Sequence, residues 1–505
     1  MQIAPIFSDN MVLQRDKDIP VWGSGMDGEI IHIAFRNVIR ETVVKNGVWQ
    51  CFLPSQEAGV EGVLSISNEQ ASVSFKNVTA GDVWFAGGQS NMELALKDCL
   101  NGQDEVEASE NPNIRFYKPI KQAFVDDRFV SAEKSNGWQV CRPAVAADLS
   151  ATAYFFAVWV NNKTGVPIGL IDCNWGGTSI SCWMSEKQLR KSAAGQRYID
   201  EYTALIGGKS DEDYERDMEA YFAAWRAWDE RVQARRAIEP DVTWEVLNAE
   251  CGECPWPQPA GGKSPYRPAN LYYSMIRRIA PFALKGFLYY QGEEDAVLRY
   301  DDYAEMMYYL IDQWRTDWHD DEAPFLFVQL PMYASKGDVE SGLTDKGWAV
   351  LREQQFKVSK IIANTGMAVV IDKGEFDNIH PLDKQTVGFR LSLQALKKVY
   401  HKDVHADGPV FRKARNEGDA VRVFFDNASE GFKTIGDLDG FEVAGDDHVY
   451  HKAKAVIEGD TIVASCAKTP RPVHVRYAWI KFGPTPLFGK NGLPAMPFRS
   501  CKEDL

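Results

Sequence analysis

The chain has 505 residues, 45% hydrophobic and 12% aromatic, enough apolar material for two or three domains with full cores. Its 56 Lys and Arg against 71 Asp and Glu give a formal charge of −15, which argues against nucleic acid and anionic membrane surfaces as partners. No run approaches the ~18 apolar residues of a membrane span, the opening Met1-Gln2-Ile3-Ala4-Pro5-Ile6 has neither the basic nor the apolar region of a secretory leader, and the 9 cysteines are odd in number and dispersed, so a cytoplasmic protein with reduced thiols is expected.

Residues 1–80 read as an N-terminal β-sandwich-like domain. Short alternating runs such as Ile30-Ile31-His32-Ile33-Ala34-Phe35 and Ala71-Ser72-Val73-Ser74-Phe75 are separated by glycine turns, and Asn46-Gly47 before Val48-Trp49-Gln50-Cys51-Phe52 predicts a hairpin. Trp22 and Trp49 are expected to pack in its core. From 81 to 405 the pattern changes. Fully apolar runs at 83–86, 168–173, 283–290, 325–330 and 367–371 alternate with helical segments such as 150–161. This predicts an α/β fold with a parallel sheet covered on both faces, whose site lies beyond the C-terminal strand ends.

An insertion at about 186–265 carries Asp211 to Ala237, rich in charge and aromatic residues at helical spacing, and reads as one or two solvent-facing amphipathic helices. The Cys251-x-x-Cys254 pair that follows lacks a second pair and predicts no metal site; the Pro- and Gly-rich loop around it is placed at the border of a cleft. Residues 406–505 return to short strands and form a C-terminal β-rich domain. Its His448, His451 and His474 show no ligand spacing and are assigned to surface or packing roles.

The stretch that carries chemistry is Gly87-Gly88-Gln89-Ser90-Asn91-Met92-Glu93, directly after the 83–86 run. A serine on a tight strand-to-helix turn is exposed, and its own N–H is placed to meet an oxyanion; the competing reading is a helix N-cap. A nucleophilic serine needs a base with an orienting carboxylate. Asp377-Asn378-Ile379-His380 offers both at i, i+3 spacing, with Asp372 and Glu375 as alternative acids, and only 8 histidines compete. Met92 stands where an α/β-hydrolase elbow has glycine, so that motif is not met.

These residues, with Phe7-Ser8-Asp9-Asn10-Met11, Asn174-Trp175-Gly176-Gly177-Thr178, Tyr289-Tyr290-Gln291-Gly292-Glu293 and His380-Pro381 running on to Lys384-Gln385-Thr386-Val387-Gly388, resemble the sialate O-acetylesterase family within the SGNH/GDSL hydrolases. The resemblance spans nearly the whole chain. It implies a three-layer α/β/α hydrolase domain flanked by β-sandwich-like modules. It also implies hydrolysis of an acetylated sugar through an acetyl-enzyme, with no metal or organic cofactor. Carried over residue by residue, the catalytic set is Ser90, Asp377 and His380. The oxyanion donors are the N–H groups of Ser90 and Gly177, with Gly176 as runner-up, and the side-chain amide of Gln291. Gln89, Asn91 and Glu293 are supporting or substrate-facing groups. Relatives often continue Glu-Ser-Asn where this chain has Glu293-Glu294-Asp295. Acetylated xylan- or mannan-type oligosaccharides are the alternative substrate, and a non-catalytic carbohydrate-binding protein is the rival class.

Overall fold

The computed structural model describes residues 1–59, 61–239, 242–340 and 346–502. Its centre is a sheet whose strands lie in the order Gln139–Cys141, Asn111–Tyr117, Ile168–Asn174, Ser72–Gly88, Gly286–Tyr290, Phe325–Gln329 and Thr365–Val369. All neighbours in this series are parallel except the first pair, an antiparallel edge. The apolar runs are strands because helices cover both faces. Residues 83–88, 168–174, 286–290 and 325–329 are buried throughout, as parallel strands in a covered sheet must be. One cover is the helix Ala151–Thr164, capped by Ser150 Oγ accepting from the Ala153 N–H and ended by Gly165 at φ 70°. It packs against the helix Lys384–Lys398 so closely that a Cβ on Gly388 would lie 2.6 Å from Phe155 Cβ.

The Ser72–Gly88 strand belongs to two modules. Its first half pairs antiparallel with Glu61–Ser67 of the N-terminal β-module, and its second half is the middle of the central sheet. The expected boundary at 80/81 therefore falls inside one unbroken strand. Fully buried Asp82 fastens this junction. It accepts from Arg15 Nε at 2.9 Å, Arg15 Nη2 at 3.0 Å and Tyr400 Oη at 2.9 Å. Asn46 and Gly47 adopt φ 52° and 76° between the reciprocal hydrogen bonds of Lys45 and Val48, the expected tight turn. Trp49 is buried, and Trp22 packs edge-on against Phe7 at 4.9 Å.

Within the insertion the charged stretch forms one 28-residue helix, Asp211–Ile238, with Ser210 as N-cap, acids in its first turn and Arg235 and Arg236 in its last, and shorter helices flank it at Ala193–Ile206 and Trp244–Cys251. Cys251 is buried beside Trp228 and Leu247 while Cys254 is exposed, so the two thiols face different surroundings. The C-terminal strands form two four-stranded sheets and a two-stranded ribbon around their own core, which includes Val421, Phe441 and Tyr477. Among the described residues no helix is long and apolar enough to cross a membrane.

Candidate active site

Three parallel strands end level with one another. Gly88 is in register with Asn174 on one side and Tyr290 on the other. The segments that leave these ends, 89–93, 175–178 and 291–295, therefore meet at one rim of the sheet. Gly88 is required there. Its φ is 138°, and a Cβ would lie 2.1 Å from the Tyr290 carbonyl oxygen. The Gln89 N–H donates to that carbonyl at 3.0 Å. The chain then turns at once into the short helix Ser90–Glu93.

The N-cap alternative for Ser90 does not hold, because Gln89 occupies the cap position and no side chain caps this helix. Ser90 Oγ makes no hydrogen bond among the described residues, and the Ser90 N–H, an orphan of the first helical turn, has no acceptor. Gly176 lies against the serine: a Cβ built on it would be 3.3 Å from Ser90 Cβ. Its N–H, however, donates to Glu93 Oε2, while Glu93 Oε1 pairs with Lys121. The next residue, Gly177 at φ 70°, leaves its N–H without an acceptor among the described residues. This separates the two glycines that the sequence left open.

Gln291 is committed elsewhere. Its side chain is 1% exposed. Nε2 faces three acceptors, Gln89 Oε1 at 3.0 Å, the Thr178 carbonyl at 3.1 Å and Asp295 Oδ2, while Oε1 accepts from Tyr303 Oη at 2.8 Å. Two amide protons shared among three acceptors leave none for a substrate oxyanion. In this arrangement the side chain expected as the third donor braces the rim. Gln89 is braced with it, its Oε1 also accepting from the Gly292 N–H at 3.2 Å.

His380 reaches the rim from a loop that follows the Thr365–Val369 strand. Asn91 Nδ2 donates to the Ile379 carbonyl at 2.9 Å, and the Leu100 N–H donates to Leu382 O at 2.9 Å. The residue after Ser90 is thus bound to the residue before His380. Burial, reinforced by the Lys384 charge, pushes the imidazole down to about 4, so it is a neutral base at ordinary pH. Among the described residues no hydrogen bond joins its ring to Ser90 or to a carboxylate.

Asp377 does not pair with His380 here. The expected single helical turn does not form, because Asp377 is left-handed at φ 56°. This conformation turns its carboxylate away, to accept from the Lys336 N–H at 2.8 Å. The alternatives are also occupied. Asp372 forks with Arg390, and Glu375 accepts from the Leu382 N–H and Asn378 Nδ2, both at 2.7 Å.

Beneath the rim lies a polar knot. Asn91 Nδ2 also donates to Glu293 Oε1, and Lys384 Nζ donates to Asn91 Oδ1. Glu293 and Lys384 are 3% and 1% exposed. Burial raises the first and lowers the second, Lys384 to about 8. Lys384 was legible only as the lysine after His380-Pro381-Leu382-Asp383. Its signal was an acid, Glu293, waiting in the apolar core.

Beside the rim a cavity of about 400 Å³ opens between the insertion and the hydrolase core, lined in part by Tyr198, Trp256, Tyr266, Glu201, Glu294 and Arg299. Trp256 borders the serine site directly, because a Cβ on Gly177 would be 2.2 Å from its Cη2. Glu294, raised to about 7 by burial and then by the Asp295 and Glu293 charges, faces the same space. Sequence placed this loop at a cleft but could not name the residues. In the C-terminal module, His448, His474 and Cys501 bring their donor atoms within 4.8 Å of one another, a grouping that linear spacing concealed.

The family described as carbohydrate esterase, sialic acid-specific acetylesterase matches residues 80–237 and 256–387, more than half of the chain. The chain belongs to this family. It is therefore a carboxylic ester hydrolase of the carbohydrate esterases, acting on an acetylated sugar. The sialate O-acetylesterases of Mus musculus and Rattus norvegicus are each 26% identical to it, over 82% of this chain and 76% and 78% of theirs. Among solved structures, a carbohydrate acetylesterase from Xanthomonas citri superposes with a TM-score of 0.76 at 28% identity, covering 99% of both chains. This esterase thus shares its whole architecture, β-modules included, with that enzyme.

Proposed function

We propose that this esterase removes O-acetyl groups from sialic acid through an acetyl-enzyme formed on Ser90. The observation that carries the reading is the rim itself. Among the described residues Ser90 Oγ and the N–H groups of Ser90 and Gly177 have no partners, and they stand where three parallel strands end level. His380 supplies a neutral base on the adjoining loop.

As Ser90 Oγ attacks the acetyl carbonyl carbon, its proton passes to His380. The carbonyl π electrons move to oxygen, and the two amides receive the resulting oxyanion. Collapse breaks the bond to the sugar oxygen, which leaves with the proton from His380. Water then attacks the acetyl-enzyme by the same route and releases acetate and Ser90. His380 and Ser90 need not touch at rest, since catalytic hydrogen bonds often tighten only when substrate is bound. The sialate substrate is supported by the family description and the names of the mammalian relatives.

The test is acetate release from 9-O-acetylated sialic acid, set beside acetylated xylo-oligosaccharides, by wild type and Ser90→Ala. Loss of the nucleophile should lower kcat at least ~10³-fold. Equal rates for the two proteins would remove the serine mechanism. Faster turnover of the xylan fragments would move the substrate.

A further inference from the structure

A sialic acid differs from a neutral acetylated sugar by its carboxylate, so a site that selects it must present a cation. We infer that Arg299 receives the substrate carboxylate, with the sugar lying in the aromatic cavity between Arg299 and Ser90. The inference rests on the sialate reading above.

Three observations converge on this residue. First, among the residues that line the cavity Arg299 is the single cation. Second, its guanidinium is incompletely used. Nη2 pairs with Glu201 and the group lies 6.0 Å from the Tyr198 ring centre, but Nε is buried without a hydrogen-bond partner among the described residues. A fork with an unfilled N–H suits bidentate recognition of a carboxylate. Third, the present counter-ion is displaceable: the Glu201 side chain is 60% exposed, against 19% for Arg299, and an exposed ion pair costs little to exchange.

The spacing also fits. Arg299 follows the helix Glu293–Leu298, which begins immediately after Gln291-Gly292 at the rim. Six helical residues span about 9 Å, comparable with the reach of a nine-carbon sugar acid from its carboxylate to its terminal hydroxyl. Trp256 bridges this interval. Its ring covers Gly177 at one end, it meets Tyr266 edge-on at 5.3 Å, and it is 52% exposed, leaving an aromatic surface for the apolar face of a sugar. Glu294 and Asp295 share the cavity with the proposed anion site. Asp295 is engaged by Tyr198 Oη, Gln291 and the Ile180 N–H, and burial raises both carboxyls, to about 7 and about 6, which weakens their repulsion of an anion. Of two further cations near Ser90, Lys384 is buried on Asn91, and Lys121 is held by Glu93 and lies over the Trp175 ring at 4.9 Å.

The experiment compares kcat/KM for 9-O-acetylated sialic acid with that for its neutral C1 carboxamide. Wild type should favour the free acid by about 10- to 100-fold, the worth of a hydrogen-bonded charge pair. Arg299→Gln should bring the ratio near one, and Lys121→Gln should leave it. A misfolded variant lowers both rates and does not produce that pattern, and the wild-type ratio needs no variant. A wild-type ratio near one, or a preference that survives in Arg299→Gln, overturns the inference while leaving the esterase intact. Turnover of both substrates by Ser90→Ala at the wild-type rate would instead overturn the serine reading.

Discussion

The two adjacent glycines of the 174–178 loop make opposite predictions. Gly177→Ala places a Cβ 2.2 Å from Trp256 Cη2 at a residue with φ 70°. The left-handed backbone alone costs an alanine about 1–2 kcal/mol. The indole must also retreat by roughly 1.3 Å to regain ordinary contact at ~3.5 Å. Trp256 is half exposed and can move, so the protein stays folded, with a total loss of about 1–3 kcal/mol. The peptide that carries the Gly177 N–H relaxes toward an ordinary φ and withdraws its donor from the oxyanion. Losing one such donor lowers kcat by about 10²- to 10³-fold. Gly176→Ala meets Ser90 Cβ and Glu93 Oε2 at 3.3 Å, and its N–H already serves Glu93, so kcat should fall less than about tenfold. The assay is kcat on saturating p-nitrophenyl acetate, with urea unfolding to confirm that each variant is native. The assignment is refuted if Gly177→Ala stays within threefold of wild type, or if Gly176→Ala is the more damaging.

Because catalysis needs neutral His380 and its imidazole is held down at about 4, the acid limb of kcat/KM should lie near pH 4 rather than at the ordinary ~6.5; a limb between 6 and 7 in a pH–rate profile would contradict the partly buried, uncompensated histidine. Asp377→Asn keeps an oxygen for the Lys336 N–H, so kcat should change less than about tenfold. A fall toward the ~10⁴-fold typical of a lost triad acid would mean that this carboxylate swings to His380 during turnover.

What the chain revealed in advance follows from what each feature depends on. The parallel sheet was legible because a strand covered on both faces must be apolar throughout, as 83–86 and 325–329 are. The Ser90 turn was legible because Gly88 is the residue that allows the Tyr290 carbonyl so close. The resting contact of Asp377 was not legible for a local reason. The tetrad 377–380 does not disclose a left-handed φ, and that angle decides where the carboxylate points. The contacts of Gln291 were not legible for a distant one. Its acceptors come from residues 89, 178 and 295, and none of these contacts can be read from the motif. Arg299 and Trp256 met at one cavity only after the insertion folded back over the rim.

The buried Lys384–Asn91–Glu293 knot explains how a serine and a histidine nearly three hundred positions apart stay registered with no hydrogen bond between them among the described residues. Each member comes from a different segment: the helix after Gly88, the helix after Gly292 and the start of the helix beyond the His380 loop. Burying an ammonium and a carboxylate is costly unless both are paired and hydrogen-bonded. Here the pairing closes only when all three segments sit in one arrangement, because Asn91 donates to Glu293 and to Ile379 O while accepting from Lys384. A displaced loop would leave a charge stranded beneath the rim. Burial lowers the His380 pKa and the same ammonium adds to the effect, so one buried lysine both positions the base and helps keep it unprotonated. One carboxylate oxygen, Glu293 Oε2, has no hydrogen-bond partner among the described residues. The knot is therefore incompletely satisfied as well as buried, which marks it as a means of holding geometry rather than a source of stability.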